Sequence, residues 1–458
     1  MSFKEEDPPP TVKQMPNSHM EQMKERFTTL LLGEDMSGRG MGISSALALS
    51  NAITNLAASV FGKQNKLAPI LTDRKKRWRK QVEWLLSVTD YIVEFVPSQQ
   101  SAKDGSNIEI MVTQQRRDLL INIPALKKLD AMLIGCLESF KDQKEFCYVY
   151  KDADKSENWW LPTVKVLPGG LSDESRKWMQ HQKDCCTQVL KASMAINAQI
   201  LSEMEIPETY IDNLPKNGKT SLGDSIYKTI TDEFFDPEEI LATMDMSSDQ
   251  NVLDLKNRME ASIIIWKRKM NQKDLKSSWI SVERRELFEE RVETILLLLE
   301  QRFPGLPQST LEISKIEYNR DVGHSILESY SRVLKRLANT VMNLIEDVLH
   351  ADEVAQNPSS ELTKKNRSTD SVAASPRAIW ALDQIPGHTP SPRGTPRSMT
   401  PSDSMGRGMD QGEMEANGNS NHDLMEIRIK PAKILTKAKM SYLEKLEAYG
   451  LRSPTARH

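Results

Sequence analysis

The feature that most limits the fold is the segment near residues 309–353. Within it Leu327, Tyr330, Leu334, Leu337, Val341, Leu344 and Val348 return every three or four residues. That interval matches the turn of an α-helix, so these side chains share one stripe. Ser309 and Glu312 stand at capping-box spacing ahead of it, where a hydroxyl and a carboxylate can each satisfy an orphan backbone N–H. The segment exceeds ordinary globular helix length, so it either breaks near Gly323 or forms part of a helical interface.

The same period recurs upstream. Met20, Met23, Phe27, Leu30 and Leu31 predict a helix ending near Gly33. The small-residue stretch "ISSALALSNAITNLAASVFG" predicts a closely packed helix stopping at Gly62. A third is expected from Asp73 to Val96, with Trp78, Val82, Leu85, Leu86 and Ile92 inside and Pro97 ending it. "NIEIMVTQQRRDLLINI", at 108–123 or so, alternates like a short hairpin or arm, and Pro124 suits the first position of the next helix. Ser172 is an expected N-cap with acidic residues behind it, and further helices are expected near 248–271 and 281–303. The expectation is a mainly α chain whose body is one helical unit.

The two ends differ in kind. Residues 1–18 are polar and Pro-rich, and about half of Ser368–Ser404 is Ser, Thr, Pro or Gly, too punctuated to bury a core. The expected organisation is a disordered N-terminus (1–18), a helical domain (19–355), a disordered linker (356–424) and a C-terminal segment (425–458). In the last, Ile434, Ala438, Tyr442, Leu446 and Tyr449 form an amphipathic helical pattern of the sort that docks on its own body or a partner. Ser375, Thr389, Ser391, Thr395, Thr400 and Ser453 each precede proline and are candidate phosphorylation sites.

Several chemistries find no support. The net charge of −3 gives no global field for nucleic acid. The longest apolar runs, such as Ile295–Leu299, are too short to span a bilayer, so no membrane insertion is expected. Four cysteines in so long a chain point to a reducing, cytoplasmic setting. Gly38, Gly40 and Gly42 lack the further glycine and the preceding strand of a dinucleotide fingerprint, and Gly218-Lys219-Thr220 lacks the first glycine of a P-loop. The histidines are scattered, Cys185 and Cys186 diverge on a helix, and acidic pairs such as Glu238-Glu239 and Glu289-Glu290 read as solvated faces. No catalytic constellation, metal site or cofactor is expected.

The tryptophans stand apart. Trp78, Trp84, Trp178 and Trp266 fall in helical patterns and are expected in the core. Trp159 and Trp160 are adjacent in the loop-like "SENWWLP", shortly before Pro168-Gly169-Gly170. Neighbours in an extended segment point opposite ways, so one packed face cannot take both. Two alternatives stay open: one ring anchors the loop while the other meets a partner, or both pack locally.

"MKERFTTLLLGEDMSGRGMGISSALALSNAITNLAASVFG", "WRKQVEWLLSVTDYIVEFVPS", "NIPALKKLDAMLIGCLESF", "NWWLPTVKVLPGGLS" and "MEASIIIWKRKM" follow one another in order. Together they resemble the PRONE domain, the plant exchange-factor domain for Rho-of-plants (ROP) GTPases, over about residues 18–355. The resemblance implies a mainly α-helical fold with a short protruding β-arm, a homodimer, and guanine-nucleotide exchange on a ROP/RAC GTPase without covalent chemistry. It implies that Trp159 and Trp160 reach the switch and nucleotide region of the GTPase, held by Asn158, Leu161 and Pro162. It further suggests a receptor-like kinase as partner of the tail, and a cytoplasmic protein recruited peripherally to the plasma membrane through its partners. The alternative is a non-catalytic helical scaffold joining receptor kinases to ROP GTPases.

Overall fold

The structure, a computed structural model, describes residues 44–101, 107–150, 162–271 and 282–356. The helix expected at Met20–Gly33, the tryptophan pair, the tail and its candidate phosphorylation sites lie outside the described residues.

Helix α1 (Ser45–Phe61) starts where Ser44 Oγ accepts the Leu47 N–H at 3.2 Å and stops at Gly62, as its small-residue stripe predicts. Helix α2 (Thr72–Leu86) buries Trp78, Val82, Leu85 and Leu86 but ends ten residues before Val96. A 3₁₀ turn (Ser87–Tyr91) follows, then strand β1 (Val93–Ser101), paired antiparallel with β2 (Asn107–Gln115) from Val93↔Gln115 to Ser101↔Asn107. Ile92–Val96 fits either period, and pairing with β2 decides for strand. Pro97 sits inside the strand, which a two-stranded ribbon tolerates because each strand has an open edge. The arm is thus displaced upstream of 108–123. Arg117–Ser139 is helix α3, with Pro124 in its interior rather than at its start. Leu120, whose carbonyl loses its helical donor to that proline, has an exposed side chain, where solvent can compensate.

Strands β3 (Phe146–Val149) and β4 (Thr163–Val166) form a second antiparallel pair. Ser172 then caps helix α4 (Asp173–Glu203), its Oγ accepting the Ser175 N–H. Four short helices follow: α5 (Glu208–Asp212), α6 (Gly218–Leu222), α7 (Asp224–Thr231) and α8 (Pro237–Thr243). With α9 (Asp249–Asn271) and α10 (Val282–Arg302), helices α6–α8 enclose a core that includes Leu222, Ile226, Val252, Trp266, Phe288 and Ile295. Asn217 caps α6, so the Gly218-Lys219-Thr220 stretch is a helix start, and Gly218 lies against the Trp266 indole. Glu290 is exposed as expected, but Glu289 is buried beside Lys267 Nζ at 2.8 Å, because α9 brings a cation to that face of α10.

The 309–353 segment does break. Helix α11 (Thr310–Tyr318) opens on the complete Ser309/Glu312 capping box and ends at Asn319. Helix α12 (Val322–Gln356) begins with Asp321 accepting the His324 N–H, so the break falls just before Gly323. Helix α12 is buried through much of its circumference and packs along α1, α3, α4 and β4. Trp78 and Trp266 lie in the core, whereas Trp84 and Trp178 are only half-buried, Trp178 edge-on to Phe140 at 4.8 Å. Cys186 is buried with its sulfur 3.6 Å from Cys136, and Cys185 is half-buried.

One core contact carries a pH signature. Trp78 Nε1 donates to both carboxylate oxygens of Asp130, at 2.9 and 3.1 Å, and burial pushes Asp130 up to about 6. The folded value lies above the unfolded one, so the folded chain keeps a proton that the unfolded chain releases. This contribution to stability is therefore full below pH ~4 and lost as pH rises through ~6, a change of about 3 kcal/mol. Asp130→Asn retains an acceptor for Trp78. Thermal melts at several pH values should show the variant flatter between pH ~4 and ~6 and more stable than the parent at pH ~7.

Candidate functional site

The tryptophan pair belongs to residues 150–162, which connect β3 to β4. Asn158, Trp159, Trp160 and Leu161 lie outside the described residues, while Pro162 is half-buried at the foot of β4. The register, Phe146↔Val166 to Val149↔Thr163, brings the two ends of this connection together. The sequence expectations include neither four-residue strand; the alternation in "TVKV" is their one local sign.

A two-stranded hairpin is marginal by itself, so what it packs on decides its position. Tyr148, Pro162, Val164 and Val166 line a groove against Leu344, His350 and Val354 of α12. From the other side, Tyr148 Oη accepts the Leu67 N–H at 2.9 Å, and burial pushes the phenol up to about 12. Lys66 Nζ sits over the rings of Tyr148 and Tyr150, at 5.8 and 4.6 Å from their centres.

The base of the hairpin is clamped twice. Glu145 takes the Ser172 N–H at 2.7 Å, the Ser172 hydroxyl at 2.8 Å and the Ser175 hydroxyl at 2.5 Å, tying the entry of β3 to the first turn of α4. These bonds hold its carboxyl below the usual range. On the exit side, Asp352 of α12 accepts the Leu171 N–H at 2.6 Å and the Arg176 Nε–H at 2.8 Å. Burial alone would raise Asp352, but these donors outweigh it and hold the carboxyl low. The chain reaches this clamp through Gly169 and Gly170, at φ values of 97° and 86°. At Gly170 a Cβ would also run into Asp352 Oδ1, so both the backbone conformation and the space require glycine.

The sequence marks the glycine pair but not its partners. Glu145, Tyr148, Arg176 and Asp352 carry no sequence signal, because nothing local announces a side chain whose partner lies far along the chain.

Chemically, the hairpin offers surface rather than a reaction centre. Val149, Tyr150 and Leu167 are large apolar side chains left about half exposed around its root. Among the described residues no group of three or more His, Cys, Asp and Glu could hold a metal ion. Also among them, no helix is long and apolar enough to cross a membrane. Exposed apolar residues around the root of a clamped hairpin suit contact with another protein.

Asp352→Ala should cost about 1–3 kcal/mol, since it leaves the buried Leu171 N–H without an acceptor. Gly170→Ala should destabilise to a similar degree through strain and steric conflict. Denaturant melts of both variants measure this, and hydrogen exchange should localise the loss to β3, β4 and the start of α4.

A profile of the PRONE family, described as the plant-specific Rop nucleotide exchanger, matches residues 18–357. The chain is 56% identical over 455 residues to Rho guanine nucleotide exchange factor 8 of Arabidopsis thaliana, covering 96% of this chain and 84% of that one. It is 57% identical over 452 residues to Rop guanine nucleotide exchange factor 12 of the same plant, covering 96% and 82%. A more distant relative, Rop guanine nucleotide exchange factor 1, is 45% identical over 403 residues, 81% of this chain and 73% of that one. With a family profile across most of its length and relatives this similar over nearly the whole chain, the chain belongs to the PRONE family.

Proposed function

We propose that this protein is a guanine-nucleotide exchange factor for a Rho-type (ROP/RAC) GTPase and that Trp159 and Trp160 are its working residues. The observation that carries this is the setting of the pair: two adjacent tryptophans on the connection of a hairpin braced against α12, in a chain of the PRONE family. Relatives named as Rop exchange factors match nearly the whole chain.

The mechanism needs no covalent step. GDP is held on a GTPase by phosphate contacts and Mg²⁺, so an exchange factor has only to stabilise a conformation in which those contacts are broken. Speeding release about 10⁴-fold takes roughly 5.5 kcal/mol of differential stabilisation. One buried Trp of about 200 Å² offers a gross ~5 kcal/mol, less ordering and desolvation, so two are of the right scale. In this reading the rings act as wedges, Asn158, Leu161 and Pro162 hold the connection, and the clamps at Glu145 and Asp352 supply the fixed base. Binding and nucleotide release are reciprocal: the factor by which the exchanger weakens GDP is the factor by which GDP weakens the exchanger, and incoming GTP ends the cycle.

The finer features of the proposal follow the family. Two copies pair as a homodimer. The tail restrains exchange until a receptor-like kinase binds it or phosphorylates sites such as Ser375, Thr389, Ser391, Thr395, Thr400 or Ser453, each phosphate adding about −1.5 to −2 charge. The protein works in the cytoplasm and at the plasma membrane.

Release of a fluorescent GDP analogue from a ROP GTPase is the test. Trp160→Ala and Trp159→Ala should each slow catalysed release by about 10²-fold with unchanged melting curves, matching the loss of ~2.7 kcal/mol net per ring. Wild-type rates from folded variants would remove the wedge assignment. Residues 1–360 should exchange faster than the full chain if the tail restrains it; equal rates under all conditions would remove that part of the proposal.

A further inference from the structure

Helix α2 holds six cations in seven consecutive positions, Arg74, Lys75, Lys76, Arg77, Arg79 and Lys80, interrupted only by Trp78. The chain as a whole is near balance at −3, so this is a local concentration. Trp78 is fully buried, and because it fixes the inward face, the cations on either side of it turn outward. Lys76, Arg77, Arg79 and Lys80 are exposed.

A solvated helix face normally interleaves acids and bases at i,i+3 and i,i+4. Here Lys76, Arg79 and Lys80 stand at those spacings with the same sign, which opposes helix formation. Lys75 turns aside to pair with Glu138 of α3, and Arg77 gives one N–H to Ser59 O at 3.1 Å. Asp73 and Glu83, three residues before Lys76 and four after Arg79, are the helix's two carboxylates and offset only part of the charge of six cations. The face therefore keeps a net positive charge that an external anion would relieve.

Two further observations indicate what kind of anion. The N-cap position of α2, which favours Ser, Thr, Asp or Asn, holds Leu71, which makes no capping hydrogen bond and is 64% exposed. A local rule broken by an exposed apolar residue marks a place where something other than folding sets the side chain. Leu71 shares an open groove with Lys75, Lys76, Arg79, Lys141 and Glu138, the last paired with Lys75, so the groove keeps an excess of cations. At the far end of the helix, Lys80 Nζ lies 4.8 Å from the ring of half-buried Trp84. A cationic face bounded by an exposed leucine and an amphipathic aromatic is the pattern of a helix lying at a bilayer interface.

We propose that the outward face of α2 docks on an anionic bilayer surface. Lys76, Arg77, Arg79 and Lys80 meet headgroup phosphates and carboxylates, while Leu71 reaches the boundary between headgroups and acyl chains. A duplex would also attract the four cations but offers no apolar layer for Leu71, and an acidic protein partner would not produce the vesicle binding tested below. The inference is independent of the exchange reading and concerns a different helix from the tryptophan hairpin.

Flotation of the full chain with vesicles tests it. The expected result is binding to vesicles of phosphatidylcholine with about 30% phosphatidylserine, weakening about tenfold as salt rises from ~50 to ~300 mM, and no binding to phosphatidylcholine alone. Replacing Lys76, Arg77, Arg79 and Lys80 together by Gln should weaken binding at least tenfold, and the charge-neutral Leu71→Ala severalfold, with melting curves unchanged. Should the fourfold variant fail to fold, Lys76→Glu and Lys80→Glu singly should give graded losses. A matched control, Lys191, Lys216, Lys219 and Lys228 to Gln, should bind as the parent does. The proposal is overturned if the parent ignores anionic vesicles or binds neutral ones equally. It is also overturned if the α2 variants bind as the parent does or the control loses as much. Tighter binding to duplex DNA than to the vesicles, unaffected by Leu71→Ala, would assign the patch to nucleic acid instead.

Discussion

The structure turns on a buried ion pair in the first third of α12. Glu328 is fully buried and Arg332 almost so, with Arg332 Nε 2.7 Å from Glu328 Oε1 and Nη2 3.2 Å from Oε2. Taking two charges out of water is costly, and the cost is met only where every remaining donor and acceptor has a partner. Here the partners come from other helices. Asn197 of α4 donates to the Glu328 carbonyl and to Ser331 Oγ, both at 3.1 Å, and Arg332 Nη2 faces Ser50 and Thr54 of α1. Sliding α1 or α4 along α12 by one turn would strand these groups, so the pair fixes register where apolar packing alone would tolerate alternatives.

That register is felt at the far end of the same helix. Asp352 stands twenty residues beyond Arg332, about 30 Å along the axis at 1.5 Å per residue. There it receives the Leu171 N–H and Arg176, closing the exit of the β3–β4 hairpin onto the helix. Glu145 closes the entry onto the first turn of α4. The hairpin is thus referred to α12 and α4 together, the same two helices that Asn197 and Glu328 lock. The exchange mechanism proposed above asks for a base that does not yield, and these contacts brace the described part of the hairpin in that way.

The parts of the fold legible in the sequence are those whose evidence is local. The stripe from Leu327 to Val348, the Ser309/Glu312 box, Ser172 and the stop at Gly62 each signal within one or two turns. What escaped depends on distant residues. Ile92–Val96 is compatible with helix and strand, and Asn107–Gln115 settles it. Pro124 looks like a helix start until Leu119 and Ile123 are seen buried in the preceding turns. Glu289 reads as solvated until Lys267 arrives from another helix. At the site, the tryptophan pair is plain in the sequence and so are the two glycines, whereas Asp352 lies 181 residues from the N–H it accepts. Hydrogen bonds of that span leave no periodic trace.

The central claim is that this chain drives nucleotide off a GTPase by preferring the empty form, and linkage makes that preference measurable without following the reaction. The most direct measurement is the affinity of the full chain for a ROP GTPase titrated in nucleotide-free form and again in excess GDP. The account predicts binding to the empty form tighter by orders of magnitude, by the same factor with which this protein weakens GDP. Equal affinity in the two titrations would contradict it and leave a scaffold in place of an exchanger.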